Sequence, residues 1–265
     1  MDLKHINITN QKELDEFLNG TTVNKSDYCI DVRADEPLVV KSSEVNEFKI
    51  FGDSVVRFLE VPFETCINAY ENAVAIIESE NCYLVQGYDN SIIFNSSKYE
   101  YFVCKLYDNA KFENSSLNSK TPSEMYLTVN DITTQERLDE CVKLYGNYKN
   151  ARFCITQSYS EHGSELVVNQ KINGFLLLDE SRVVFKKPTN SDNESIDYDI
   201  AICNKSTAII ETNNCEVSAY NESTIIKRCK GDIAYKYIKE NSKLVDESHL
   251  LDTNKHKETS KGRGK

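Results

Sequence analysis

Carboxylates are the residues whose spacing most invites a chemical reading in this chain. Glu71, Glu80, Asp89 and Asp108 stand at or beside turn-like pairs that recur along the sequence, so each repeat returns an acid to an equivalent place. If the intervening segments are stacked strands, these acids fall in rows about 4.8 Å apart, the interstrand spacing. Such rows either meet Lys and Arg on a partner or act as solvated charge that keeps a repetitive fold soluble. Asp31-Val32-Arg33-Ala34-Asp35-Glu36 and the stretch from Asp192 to Asp199 also set carboxylates close together, as calcium sites and glycosidases require. Neither carries the glycine pattern of a calcium loop, and solvated loop charge is the simpler reading.

Other chemistries find less support. The histidines His5, His162, His249 and His256 are isolated from other ligand residues, and the nine cysteines (Cys29, Cys66, Cys82, Cys104, Cys141, Cys154, Cys203, Cys215 and Cys229) include no CxxC pair. That is neither zinc-finger spacing nor a disulfide framework, and thiols among apolar neighbours read as small core residues. His162 lies in the polar loop Ser158 to Ser164, but no cysteine has a recognisable nucleophile context. Walker, G-x-S-x-G and dinucleotide-binding sequences are missing. The expectation is a protein that binds rather than catalyses, with no metal and no cofactor.

Composition narrows the class of partner. The 265 residues carry 31 Lys and Arg against 42 Asp and Glu, a net charge of −11, which disfavours direct attraction to nucleic acid or an anionic membrane and favours a basic protein. There are only 9 Gly and 4 Pro, too few for glycine-rich phosphate loops or long irregular linkers. No apolar stretch of export-signal or membrane-spanning length stands out, and the odd number of cysteines suits a reducing compartment, so a cytoplasmic location is expected.

The elements that would hold the acids in register are visible as repeats. Ile8-Thr9-Asn10-Gln11-Lys12-Glu13-Leu14-Asp15-Glu16-Phe17-Leu18 recurs 124 residues later as Ile132-Thr133-Thr134-Gln135-Glu136-Arg137-Leu138-Asp139-Glu140-Cys141-Val142. Further matches follow in order, from Tyr28-Cys29-Ile30 with Phe153-Cys154-Ile155 to Asn81-Cys82 with Asn214-Cys215. Each copy opens with a short strand and a helix. Thr9 or Asn10 caps the first helix with Glu13 completing the box, and Thr133 with Glu136 does the same in the second; Gly20 and Gly146 are natural stops.

A finer period follows each helix. Turn-like pairs at Asp53-Ser54, Phe63-Glu64, Asn72-Ala73, Asn81-Cys82, Asn90-Ser91, Tyr99-Glu100 and Asn109-Ala110 step by nine or ten residues, separated by short β-branched or aromatic runs such as Val74-Ala75-Ile76-Ile77. Tyr70-Glu71-Asn72, Tyr88-Asp89-Asn90 and Tyr107-Asp108-Asn109 repeat at twice that step, so one coil holds two strands and two turns. The fold expected is mainly β: two tandem duplicated β-solenoid units, each preceded by a short capping helix. Their expected bounds are 1–120 and 121–240, with a disordered polar and basic tail at 241–265. An antiparallel meander forming two sandwiches is the competing architecture, because a period alone does not fix strand direction.

The Tyr-x-Asn-Ala/Ser repeats resemble the short-coil β-helix proteins of bacteriophages and bacterial mobile elements. That resemblance implies a stacked fold and, with the acidic rows, a phage or mobile-element inhibitor that occludes the basic groove of a nucleic-acid-processing host protein, such as a CRISPR effector. Glu71, Glu80, Asp89 and Asp108 are the expected partner-binding residues. The alternative is a carbohydrate-binding or carbohydrate-active β-helix, which would display Tyr70, Tyr88 and Tyr107 as an exposed row beside the acids.

Overall fold

The computed structural model describes residues 3–21, 23–41, 43–82, 84–97, 101–114, 124–148, 150–156, 165–189, 196–239 and 241–250. The chain divides into two compact units, 1–130 and 131–265.

In the first unit, β1 (Lys4–Ile8) leads into helix α1 (Gln11–Asn19), then β2 (Tyr28–Val32) and β3 (Leu38–Val40). From there the chain alternates between two sheets. β4 (Glu47–Ile50), β6 (Cys66–Ala69), β8 (Leu84–Gly87), β10 (Tyr101–Leu106) and β12 (Glu124–Ile132) extend the sheet begun by β1 and β2. β5 (Val55–Phe58), β7 (Val74–Ile77), β9 (Ile92–Asn95) and β11 (Lys111–Asn114) extend the sheet begun by β3. All these pairings within the unit are parallel, as successive windings require and hairpins forbid. Val55 pairs with Val74, Val74 with Ile92 and Ile92 with Lys111, so the coil step is 19, 18 and 19 residues. The chain is a β-solenoid.

The inward side chains follow the period of two that a strand imposes. Phe48, Ile50, Val56, Phe58, Ile67, Ala75, Ile77, Val85 and Ile93 are fully buried between the sheets, and Phe48 meets Phe58 edge-on at 5.1 Å. Each large apolar side chain so buried contributes roughly 1.5–3 kcal/mol. Gly87 sits where a Cβ would come within 3.0 Å of Ala110 Cβ and Ser91 Oγ, so the packed corner leaves no room for a side chain.

The second unit also winds between two sheets. Helix α2 (Gln135–Tyr145) precedes β13 (Ala151–Ile155) and β14 (Leu166–Val168). β15 (Ile172–Leu177), β17 (Tyr198–Ile202), β19 (Cys215–Ala219) and β21 (Ala234–Ile238) follow β13 in one sheet. β16 (Arg182–Phe185), β18 (Thr207–Ile210), β20 (Thr224–Lys227) and β22 (Lys243–Asp246) follow β14 in the other. The coil step is less regular here: 17 residues from Leu166 to Val183, 25 from Arg182 to Thr207, 17 from Thr207 to Thr224 and 19 from Thr224 to Lys243. Phe175, Phe185 and Tyr198 form the aromatic centre of this core, with Phe185 lying 5.2 Å from Phe175 and 5.3 Å from Tyr198. The buried Tyr198 hydroxyl donates to the Lys186 carbonyl at 2.7 Å.

Several local expectations shift by a residue or more. The first unit runs to 130 rather than 120, because Tyr101 to Leu106 pair with Glu124 to Val129 and hold that strand to the first stack. β22 occupies 243–246, inside the range expected to be tail, where it pairs with β20; residues 251–265 lie outside the described residues. In α1 the cap is Asn10, which accepts from Glu13 N, while the Glu13 carboxylate reaches back to Thr9 N rather than to Asn10 N. In α2 the cap is Thr134, accepting from Arg137 N, not Thr133, because β12 stays extended through the buried Ile132.

Both helices are fastened alike. Gln11 Nε2 donates to the Val39 carbonyl at 3.0 Å while Val39 N donates to Gln11 Oε1 at 2.7 Å. Gln135 makes the same two bonds with Val167, at the same two distances. A side-chain amide thereby completes the backbone pairing of an outermost strand, which otherwise presents open donors and acceptors.

Candidate functional site

One edge of the first unit is a column of turns that carry the chain from the first sheet to the second. Successive turns are Phe51-Gly52-Asp53-Ser54, Tyr70-Glu71-Asn72-Ala73, Tyr88-Asp89-Asn90-Ser91 and Tyr107-Asp108-Asn109-Ala110. The second residue of each has positive φ: 67° at Gly52, 60° at Glu71, 56° at Asp89 and 52° at Asp108. Non-glycine residues pay roughly 1–2 kcal/mol for that conformation, least when a short polar side chain bonds locally.

The carboxylates offset that strain. Gly52 N donates to Glu71 Oε2 at 2.5 Å, Glu71 N to Asp89 Oδ2 at 2.9 Å, and Asp89 N to Asp108 Oδ2 at 3.3 Å. Each acid thus caps the turn of the coil before its own. The following residues form a second file, with Asn72 Nδ2 donating to Asp53 Oδ1 and Asn109 Nδ2 to Asn90 Oδ1. Glu71, Asp89 and Asp108 therefore form one exposed column, and Asp53 stands in the adjoining file with Asn72, Asn90 and Asn109. Glu80 does not: it lies on the turn after β7, at the opposite edge of the coil. Arg33 lies against this column, 3.6 Å from Glu71 and over the Phe51 ring at 4.5 Å.

Beside the acids runs an aromatic stack. Phe51 lies on Tyr70 at 5.0 Å, Tyr70 on Tyr88 at 4.7 Å and Tyr88 on Tyr107 at 4.7 Å, with the planes within 11° of parallel. The rings are half-buried, and their faces are occupied by one another. Burial, and then the neighbouring Tyr70 and Tyr107, push the Tyr88 hydroxyl up to about 12.

The second unit has a corresponding column at Asp179-Glu180, Asn204-Lys205, Asn221-Glu222 and Asn241. The first six of these residues form three consecutive pairs with positive φ, the pattern of type I′ turns, in which Asn is favoured. They line an open groove of about 720 Å³. Lys205 breaks the run of acids, so this column is less uniformly negative than that of the first unit.

Of the remaining acids, Asp35 and Glu36 stand in a surface bend, and Asp192 lies outside the described residues, as does His162. Asp199 pairs with Lys236 at 3.6 Å. Asp197 is 1% exposed, and among the described residues neither of its carboxylate oxygens has a hydrogen-bond partner. All nine cysteines are thiols, seven buried and two half-buried.

The outer face of the first sheet brings together residues that appear unrelated in the sequence. Parallel pairing of β1 with β2 sets His5 opposite Cys29, and pairing of β2 with β4 sets Cys29 opposite Glu47 and Asp31 opposite Lys49. His5 Nδ1 lies 2.8 Å from Asp31 Oδ2, and the Cys29 thiol donates to Asp31 Oδ1 at 3.6 Å. The network continues along the sheet through Lys49–Glu47, Asn68 to Glu47, Gln86 to Asn68 and Tyr88 to Gln86. Burial, followed by Glu47 and Asp31, pushes the Cys29 thiol up to about 12. The expectation that the histidines stand apart from other ligand side chains fails at His5. The opening strand was legible in the sequence, but its partner was not.

Among the described residues no helix is long and apolar enough to cross a membrane. Comparison with protein-family models, with curated proteins and with solved structures finds no match to this chain.

Proposed function

We propose that the protein acts by binding, presenting the acidic turn column of its first unit to a basic partner. The observation that carries this reading is the file of Glu71, Asp89 and Asp108 on successive coils, with Asp53 in the adjoining file and Arg33 beside Glu71. Carboxylates spaced by about 4.8 Å have a charge density nearer to one nucleic-acid strand, about 3.4 Å per phosphate, than to a duplex at about 1.7 Å. A groove built for a single strand is therefore the fitting target. The partner class is a nucleic-acid-processing protein, blocked by occlusion, in keeping with the resemblance to short-coil β-helix proteins of phages and mobile elements; a CRISPR effector is one such protein.

The sugar-binding alternative is less well supported. Carbohydrate rings pack on open aromatic faces, whereas Tyr70 and Tyr88 spend theirs on each other and on their neighbours in the stack. We also read the two units as copies of one ancestral unit, each closed by its helix. The paired bonds of Gln11 to Val39 and Gln135 to Val167 support this, as do the collinear sequence matches.

The test uses the variant Glu71→Gln/Asp89→Asn/Asp108→Asn, which keeps acceptors at the turns but removes three charges. The full-length parent should retain a basic nucleic-acid-binding protein at low salt and release it to a single-stranded oligonucleotide, and the variant should not retain it. Equal retention by the variant, or no such partner at low salt, would end this reading.

A further inference from the structure

We propose that His5, Cys29 and Asp31 form a binding site for a borderline transition-metal dication, zinc being the best match, at the edge of the first unit. One nitrogen, one sulfur and one carboxylate oxygen all lie within 4.8 Å of one another. That is a zinc donor set with a fourth position left for water or for Glu47, which faces Cys29 on the next strand.

The spacing suits the ion. Bonds of about 2.0–2.3 Å in a tetrahedron place ligand atoms roughly 3.3–3.7 Å apart. Cys29 Sγ lies 3.6 Å from Asp31 Oδ1, within that range, while the exposed His5 bonds the other oxygen, Oδ2, through Nδ1 at 2.8 Å and must move outward to admit an ion. The backbone fixes the rest: His5 and Cys29 are register partners across a parallel ladder, and Cys29 and Asp31 are two residues apart on one strand, on the same face.

Hard cations fit less well, since thiolate and imidazole are poor ligands for calcium or magnesium. On binding, the Cys29 S–H bond breaks, its proton leaves to solvent and the sulfur lone pair binds the metal, so no oxidant or reductant is involved. Lys49 opposes the ion's charge, but it is paired with Glu47 at 3.5 Å. A metal here would pin β1, the outermost strand of its sheet, to β2.

Cobalt(II) is the probe, because cobalt thiolate bonds give a charge-transfer absorption in the near ultraviolet. The full-length protein, titrated with cobalt to a tenfold excess under reducing conditions, should show this band saturating near one ion per chain, and zinc should bleach it. Cys29→Ser should abolish the band, His5→Gln should weaken binding by about tenfold or more, and Cys66→Ser should leave it unchanged. Zinc should raise the melting temperature of the parent but not of Cys29→Ser or His5→Gln. Absence of the band in the parent, its persistence in Cys29→Ser, or an equal thermal shift in all variants would overturn the proposal.

Discussion

Asp89 separates the structural from the electrostatic role of the acidic column. Its carboxylate accepts the Glu71 N–H at 2.9 Å, and its own backbone sits at φ 56°. Replacing it with Ala removes a charge-assisted bond from an exposed turn, about 1 kcal/mol after solvent discounting, and leaves a residue that tolerates positive φ less well. The expected loss is about 1–2 kcal/mol. Asn keeps an acceptor and the tolerance for that conformation, and it removes a charge lying between two others. At about 4.8 Å each like-charge neighbour costs about 0.9 kcal/mol in bulk water, less with screening by salt. Asp89→Asn should therefore be at least as stable as the parent at low ionic strength, with the advantage shrinking as salt is added. Urea denaturation of both variants at two ionic strengths measures this. Were Asn to cost as much as Ala at both, the carboxylate would be needed for its charge, and the account of mutual repulsion along the column would be wrong.

Three further outcomes follow from the same coordinates. Tyr88→Ala should cost about 2–4 kcal/mol by removing two stacked pairs and a half-buried ring, whereas Tyr88→Phe should cost under about 1 kcal/mol; comparing their urea midpoints checks this. Asp197→Ala should raise the urea midpoint, since a buried carboxylate with neither oxygen bonded among the described residues costs more than the small side chain replacing it; a lowered midpoint would point to a partner for that acid. Burial pushes Cys82 and Cys215 up to about 12, and Cys141 and Cys154 to about 11, from an ordinary value of 9.0. The unfolded chain therefore releases these protons first. Their contribution to stability is whole below pH 9 and is lost as pH rises towards 11 and 12, so urea midpoints should hold at pH 8 and fall at pH 10.5. An unchanged midpoint at pH 10.5 would contradict the burial of these thiols.

The nine-residue rhythm was legible because strand and turn use different residues. Runs such as Val74 to Ile77 and Ile92 to Phe94 are β-branched or aromatic, while Asn72, Asn90 and Asn109 return at the corners. Strand direction followed once those corners were read as windings, and the parallel register confirms it. The position of the acids was also legible, except for Glu80, whose nine-residue step places it at the other edge. Their role as backbone acceptors was not. Positive φ is usually signalled by glycine, and here Glu71, Asp89 and Asp108 occupy it instead. The meeting of His5 with Cys29 and Asp31 was hidden by distance, because β1 returns to β2 only after a whole helix, and no local pattern marks which strand it joins. The cap of α2 moved from Thr133 to Thr134 because the preceding strand competes for the same residues, a contest that capping preference does not decide.

The long step between β16 and β17 has a bearing on how such a chain tolerates insertions. Arg182 and Thr207 are 25 residues apart where the adjoining steps are 17, yet they remain direct partners; the β14–β16 and β18–β20 ladders stay in register, while the β15–β17 ladder carries a shift between Ile172 and Phe175. The longer step is thus absorbed with one local shift, and the strands that leave and re-enter it keep their partners. Such a corner is a natural place for lineages to diverge in length, and a rational place to graft a foreign peptide without retuning the scaffold that displays it.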